Sequence, residues 1–300
     1  LLQKKYSQRL SLLTEQGVRK HHGTPSVAAQ IVIFFGVMFT LLPFFSVFLS
    51  SLQVRKISEG SVERNWTLDG WRTAWGGDMS TMGVAEAMSN SIIYALCTLL
   101  IALPLGWILA STIFKLEQNG WSKTSKLLDL ACMLPLAVSA LMVGLGVLLG
   151  GLRWYPEMFG WFLLPVYPHV LLTVPFVVRV MLPAYHSLDP AFSEQCQMLN
   201  LSPLRSWYHG KLMFLRGPAV VAGSLTLAFS LGEFGASWLL VRSGNWDTLS
   251  IVVDQLMSRP NFDPLIHTTA MAAATMLMLL TFTLFILAER FRAHDDRSGF

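Results

Sequence analysis

A single carboxylate interrupts an apolar stretch in the run Ser230-Leu-Gly-Glu233-Phe-Gly-Ala-Ser237. An acid at the centre of a membrane helix costs roughly 2.5–3.5 kcal/mol on insertion scales, so Glu233 is expected to face a bundle interior or a water-filled cavity. Two uses fit it there. It lines or gates a route for a solute, with Ser230 and Ser237 as hydroxyl-bearing neighbours on the same path, or it is protonated or hydrogen-bonded and only fixes packing. Gly223, Gly232, Gly235 and Ala236 supply the small surfaces that close helix contact needs.

A second polar run, Tyr185 to Gly217, separates two apolar stretches. Ser187 or Asp189 can cap a helix entered at Pro190, and Glu194 then stands in its first turns, where the macrodipole favours a carboxylate. That helix should stop near Asn200, which tolerates left-handed backbone, and Ser202-Pro203 should start another with Ser as cap and Pro first. The pattern is a helix-turn-helix on a water-facing loop.

Other chemistries lack their residues. GxxxxGK[ST] is absent, so the chain has no phosphate cradle of that kind, and HExxH and GxSxG are absent too. Cys97, Cys132 and Cys196 show no CxxC or zinc spacing, so neither a disulfide framework nor a metal site is expected. His169 and His267 lie near the ends of apolar stretches, where interfacial solvation explains them, and Arg179 can snorkel to the interface. The formal charge of +4 comes without basic runs interleaved with aromatics, which argues against a nucleic-acid partner.

These residues must be held by membrane helices. With 53% apolar and 13% charged residues and a mean hydropathy of +0.51, the chain reads as all-α and polytopic. Six stretches can cross about 30 Å of hydrocarbon at 1.5 Å per residue: Ala28–Leu52, Val84–Phe114, Leu127–Leu149, Trp161–Leu182, Pro218–Val241 and Pro264–Ala288. Residues 1–27 then form a cytoplasmic segment or linker, 28–290 the membrane domain with its loop at about 185–217, and 291–300 a cytoplasmic tail. Leu1 opens the chain without Met, which fits a trimmed segment or the second half of a longer tandem protein. With the N-terminus inside, about two-thirds of the 22 Lys and Arg fall on the cytoplasmic side, so N-in/C-in is selected. That choice also puts the Glu194 loop in the cytoplasm.

Outside, residues 66–75 carry Trp66, Trp71 and Trp75, an interfacial anchor in lipid headgroups or a partner contact. Leu249, Val252, Val253, Leu256 and Met257 share one helical face, so a short helix should lie against the bundle. Asn90-Ser91 opens the second span as a cap or helix contact.

The loop resembles the EAA loop of binding-protein-dependent ABC importer permeases of type I, a pattern of Glu-Ala-Ala, three residues, Gly, nine residues, Ile, one residue, Leu-Pro. Here Glu194 stands at the Glu, Gln195 and Cys196 at the Ala pair, Asn200 at the Gly, followed by Leu201, and Leu212 at the Leu, while Gly210 and Met213 depart from the pattern. The Gly232-Glu-Phe-Gly235 run is similar to the thiamine, iron(III) and molybdate permeases, and leans towards the thiamine and iron(III) branch. The resemblance implies a non-enzymatic transport subunit of the bacterial inner membrane. Its loop would dock an ATP-binding subunit, with ATP bound by that partner and no cofactor in this chain. An external substrate-binding protein and a second permease half, as homodimer or fused domain, are the further partners implied. A secondary transporter or channel using Glu233 as a proton or cation site is the alternative.

Overall fold

The computed structural model describes residues 26–58, 61–77, 80, 82–188, 198–200, 202–241, 246–260 and 263–297. The chain divides into two units, Leu1–Phe45 and Ser46–Phe300. The first apolar stretch forms helix α1 (Val27–Ser51), which runs across that boundary and is apolar along its length.

Where a polar external loop was expected, Gln53–Ser58 (β1) and Ser61–Trp66 (β2) pair as an antiparallel hairpin with Val54 opposite Asn65 and Arg55 opposite Arg64. The alternation was hidden because Val54 is the one described hairpin side chain that is buried, leaving almost no apolar period of two to read. The Trp-rich piece after it forms α2 (Asp69–Gly76), closed by Gly77 in the left-handed conformation. Trp71 donates its indole N–H to Ser51 Oγ at 3.1 Å, while Trp66 and Trp75 stay exposed.

The second span is α3 (Val84–Gln118), whose buried face carries Ala87, Ser91, Ala95, Thr98, Ala102, Gly106 and Ala110. Small residues let backbones approach closely where lipid supplies no hydrophobic drive between helices. At Gly106 the approach is tight, since an added Cβ would meet Val177 at 2.5 Å. The helix continues four residues beyond the expected end at Phe114.

The third span differs most from expectation. It is a pair of helices, α4 (Ser122–Ala137) and α5 (Ala140–Trp154), bent by 97° at the break. Val138 and Ser139 adopt extended backbone, and Ser139 Oγ accepts the Met142 N–H at 3.3 Å, capping α5. A serine that satisfies the backbone locally competes with the helix it would otherwise continue, and Pro135 has already removed one donor from the preceding turn.

The fourth span is α6 (Val166–His186), buried on most sides. The chain then re-enters helix at Pro203 with α7 (Pro203–Ser206) and passes through a π-helical turn, Trp207–Lys211, into α8 (Leu212–Gly232). Instead of running to Val241 as one helix, the fifth span stops at Gly232 and resumes as α9 (Gly235–Leu240). The external helix is α10 (Leu249–Met257): Leu249, Val252 and Leu256 are buried against Ala270, Ala272 and Ala273 of α11 (Pro264–Arg297), with Met257 left at the exposed edge.

Among the described residues, five helices can cross a membrane by length and composition, and six if the bent α4–α5 pair is one span. Within Ser46–Phe300, two of the buried apolar clusters join the second, fourth and fifth spans. Tyr94, Ala102 and Ile113 of α3 meet Val166, Val170, Val174 and Val178 of α6, and Met181 and Tyr185 of α6 meet Leu215, Ala219 and Ala222 of α8.

Candidate translocation path and coupling loop

Ser230 and Ser237 are seven residues apart. In an unbroken helix they would stand about 10 Å apart along the axis, too far for one side chain to join without distorting either. The break after Gly232 changes that. His169 of α6 reaches both, with Nδ1 2.8 Å from Ser230 Oγ and Nε2 2.7 Å from Ser237 Oγ. Ser230 Oγ donates onward to Thr98 Oγ1 of α3 at 3.4 Å. A neutral imidazole donates from one nitrogen and accepts at the other, so the ring fills both bonds with one serine accepting from it and the other donating to it. His169, Thr98 and Ser237 have no solvent exposure.

Interfacial solvation therefore does not explain His169. It sits fully buried at the crossing of α3, α6 and the two pieces of the fifth span. Its sequence neighbourhood could not reveal this, because its partners lie 61 and 68 residues away and face one another only across a helix break.

Glu233 occupies the break itself. The residue is 7% exposed, and its Oε1 accepts the Ala236 N–H at 2.9 Å. A carboxylate there satisfies one of the free donors at the start of α9. Its own carbonyl accepts from Ser250 Oγ of α10 at 3.4 Å. Across the break, the small residues fit against the start of α5: a Cβ on Gly144 would meet Ala236 Cα at 2.7 Å, and one on Gly235 would lie 3.4 Å from Leu141 N. Two interrupted spans thus cross at their interruptions. Membrane proteins tolerate such breaks where side chains or neighbouring helices satisfy the freed backbone, and here Ser139 and Glu233 each do so.

Asn90 and Ser91 stand two turns inside α3 and hold the start of α10. Ser91 Oγ accepts the Leu249 N–H at 2.9 Å, and Asn90 Nδ2 donates to the Asp247 carbonyl at 3.2 Å. One turn on, the Tyr94 hydroxyl donates to the Trp246 carbonyl at 3.3 Å.

At the opposite end of α3 and α6 lies the loop. Glu194, Gln195, Cys196 and Leu201 fall outside the described residues. Asn200 is described, with φ of 49°, the left-handed conformation expected of a helix-ending residue. Helix begins again at Pro203, and the Ser206 N–H donates to the Ser202 carbonyl at 2.8 Å. Leu212, at the loop's far end, is half-buried at the first residue of α8. Trp207 of the π turn lies with its ring centroid 6.2 Å from that of Trp107 on α3. Trp107 Nε1 donates to the Tyr185 hydroxyl at 2.7 Å, and Tyr185 stacks on Phe114 at 5.5 Å. His186 Nε2 stands 3.3 Å from Glu117 Oε2. Sequence reading missed this aromatic seat; the spacing of Trp107 and Phe114, two turns apart on α3, was the available signal.

Arg179, for which snorkelling was expected, is exposed. Its guanidinium is 3.8 Å from Asp129 Oδ2 of α4, and its Nε donates to Met133 Sδ at 3.1 Å.

No family model matches the chain. The putative 2-aminoethylphosphonate transport system permease protein PhnV of Salmonella paratyphi A is 27% identical over 263 residues, covering 87% of this chain and 93% of that protein. The thiamine transport system permease protein ThiP of Haemophilus influenzae is 28% identical over 216 residues, 71% of this chain and 38% of that longer protein. In fold, the chain is similar to a bacterial ABC transporter involved in the import of the acidic polysaccharide alginate, with a TM-score of 0.65 and 16% identity over 89% of this chain and 94% of that one. Along most of its length the chain is similar in sequence to permease proteins of transport systems, and its fold is that of ABC importer transmembrane domains.

Proposed function

We propose that this permease forms half of a solute path in the bacterial inner membrane and takes its energy from a separate ATP-binding subunit. The observation that carries the reading is the seat of the loop. A short helix starting at Pro203 leads through a π-helical turn into the fifth span, and Trp207 of that turn packs on Trp107 of the second span, which bonds Tyr185 at the end of the fourth. Force applied to the loop enters the bundle there. Glu194, Gln195, Cys196, Asn200, Leu201 and Leu212 are the docking segment in this reading, ATP is bound and hydrolysed by the partner, and the loop faces the cytoplasm. A second half, identical or fused, completes the cavity. Rigid-body rocking of the halves then alternates its access.

Glu233, Ser230 and Ser237 mark the path in the same reading, with the break between α8 and α9 as its constriction. Cargo is handed over by an external binding protein. 2-Aminoethylphosphonate is the first solute to test, because the relative named for it is matched nearly end to end; thiamine and iron(III) are the next two.

The experiment is co-purification of the parent and of Glu194→Lys with the ATP-binding subunit, alongside uptake in cells carrying the whole importer. Reversing the charge should release the ATPase and abolish uptake of whichever of these solutes the parent importer carries, while leaving the permease in the membrane. Normal ATPase capture and uptake by Glu194→Lys would refute the docking role. Uptake driven by a proton gradient with no nucleotide would transfer the protein to secondary transport with Glu233 as its ionisable site.

A further inference from the structure

The buried imidazole does more than satisfy itself. Each of its two nitrogens is bonded to a different segment of the interrupted fifth span, Ser230 on α8 and Ser237 on α9, and Glu233 lies between them in sequence. The other ties at the break hold single points of it: Glu233 Oε1 and the Phe234 carbonyl cap α9 by accepting the Ala236 and Trp238 N–H groups, and Ser250 bonds the Glu233 carbonyl. Residues 233 and 234 belong to neither helix, and Gly232 has open space around it. None of these bonds joins α8 to α9. The ring does, from a rigid third element, α6.

The placement of His169 along α6 matters equally. His169 is in the first turn of the helix, whereas Tyr185 and His186, which join the aromatic seat of the loop, are in its last. One helix of about 30 Å at 1.5 Å per residue therefore touches the loop seat at one end and the fifth-span break at the other.

We propose that His169 is a positioning residue for solute passage: it clamps the two segments of the fifth span in one register on the fourth span, so that movement of the loop end of α6 reaches the break and sets where Glu233 stands. This rests on the importer reading with its ATPase partner. The His169 ring does not touch the solute; it acts through Ser230, Ser237 and the backbone around Glu233. No proton is consumed, since a neutral imidazole with one donor and one acceptor fills both bonds.

The test uses the complete importer in proteoliposomes: permease, ATP-binding subunit and binding protein. The readout is the ratio of ATP hydrolysis with the binding protein to hydrolysis without it. A merely structural residue would lower the melting temperature and the yield and leave that ratio unmoved. Ser237→Ala removes one hydroxyl and leaves the ring bonded to Ser230, so it should fold even where His169→Ala does not. The expected result is a ratio lowered roughly five- to tenfold in Ser237→Ala, the size of effect that one buried hydrogen bond sustains. Ser237→Thr, which keeps the hydroxyl, should restore it. Combining Ser237→Ala with His169→Gln should lower the ratio no further than the stronger single change, since both break one clamp.

A parent complex with a high ratio and a Ser237→Ala variant that keeps it would overturn the clamp and leave the importer reading standing. Additive losses in the double variant would overturn it as well. A parent complex that hydrolyses no ATP would remove the importer reading and the clamp with it.

Discussion

Replacing Glu233 with Gln keeps an oxygen where the Ala236 N–H needs an acceptor, so the start of α9 should survive the change. Replacing it with Leu removes the acceptor. A lost cap of this kind costs about 1 kcal/mol, which a lower melting temperature in detergent should report for Glu233→Leu and not for Glu233→Gln. The two variants separate the readings of this acid. If charge lines the path, Glu233→Gln loses uptake with its stability intact; if the carboxylate only caps, Glu233→Gln transports as the parent does. Much at this scale was legible beforehand. A lone acid in an apolar run must be buried and partnered, and it is. The identity of its partner was not legible, because a cap three residues ahead exists only once Gly232 has ended the previous helix. His169 shows the same limit more strongly, since its bonds depend on a break that its own neighbours do not encode.

At the scale of elements, close approach of α3 and α6 is set by one missing side chain. Gly106→Val would drive a Cβ into Val177 at 2.5 Å and towards the Val174 carbonyl at 3.3 Å. Overpacking of this kind costs about 1–3 kcal/mol. Gly150, on the exposed side of α5, has open space around it. A thermal-stability series should therefore show Gly106→Val well below the parent and Gly150→Ala beside it; equal stability of the two would contradict the helix crossing described here. Positions of most elements followed from apolar length alone, to within a few residues at Val84 and Pro264. The bent α4–α5 pair did not, because a hydrophobic run of span length reads the same whether it crosses straight or folds back. Ser139 and Pro135 were the local signals, and a Pro or Ser within a membrane helix is too common to imply a bend of 97°.

For the whole molecule, counting the bent α4–α5 pair as one crossing puts the hairpin and the loop on opposite sides of the membrane. In a variant without Cys97, Cys132 and Cys196, Arg64→Cys should react with a membrane-impermeant maleimide in intact spheroplasts, and Arg205→Cys only after permeabilisation. Both positions are exposed, so access and not burial decides the result. The reverse pattern would invert the topology and remove the docking loop from the cytoplasm. By itself the sequence determined the class of protein, the number of apolar stretches, the side preferred by Lys and Arg, the turn at Asn200 and the helix start at Pro203. Each of these depends on composition, spacing or backbone preference within a short window. Tertiary structure alone decided which spans are interrupted, that the interruptions cross, and that one imidazole joins two segments of the same span. Those outcomes depend on residues far apart in the chain competing for the same buried donors and acceptors, and no local pattern records who wins.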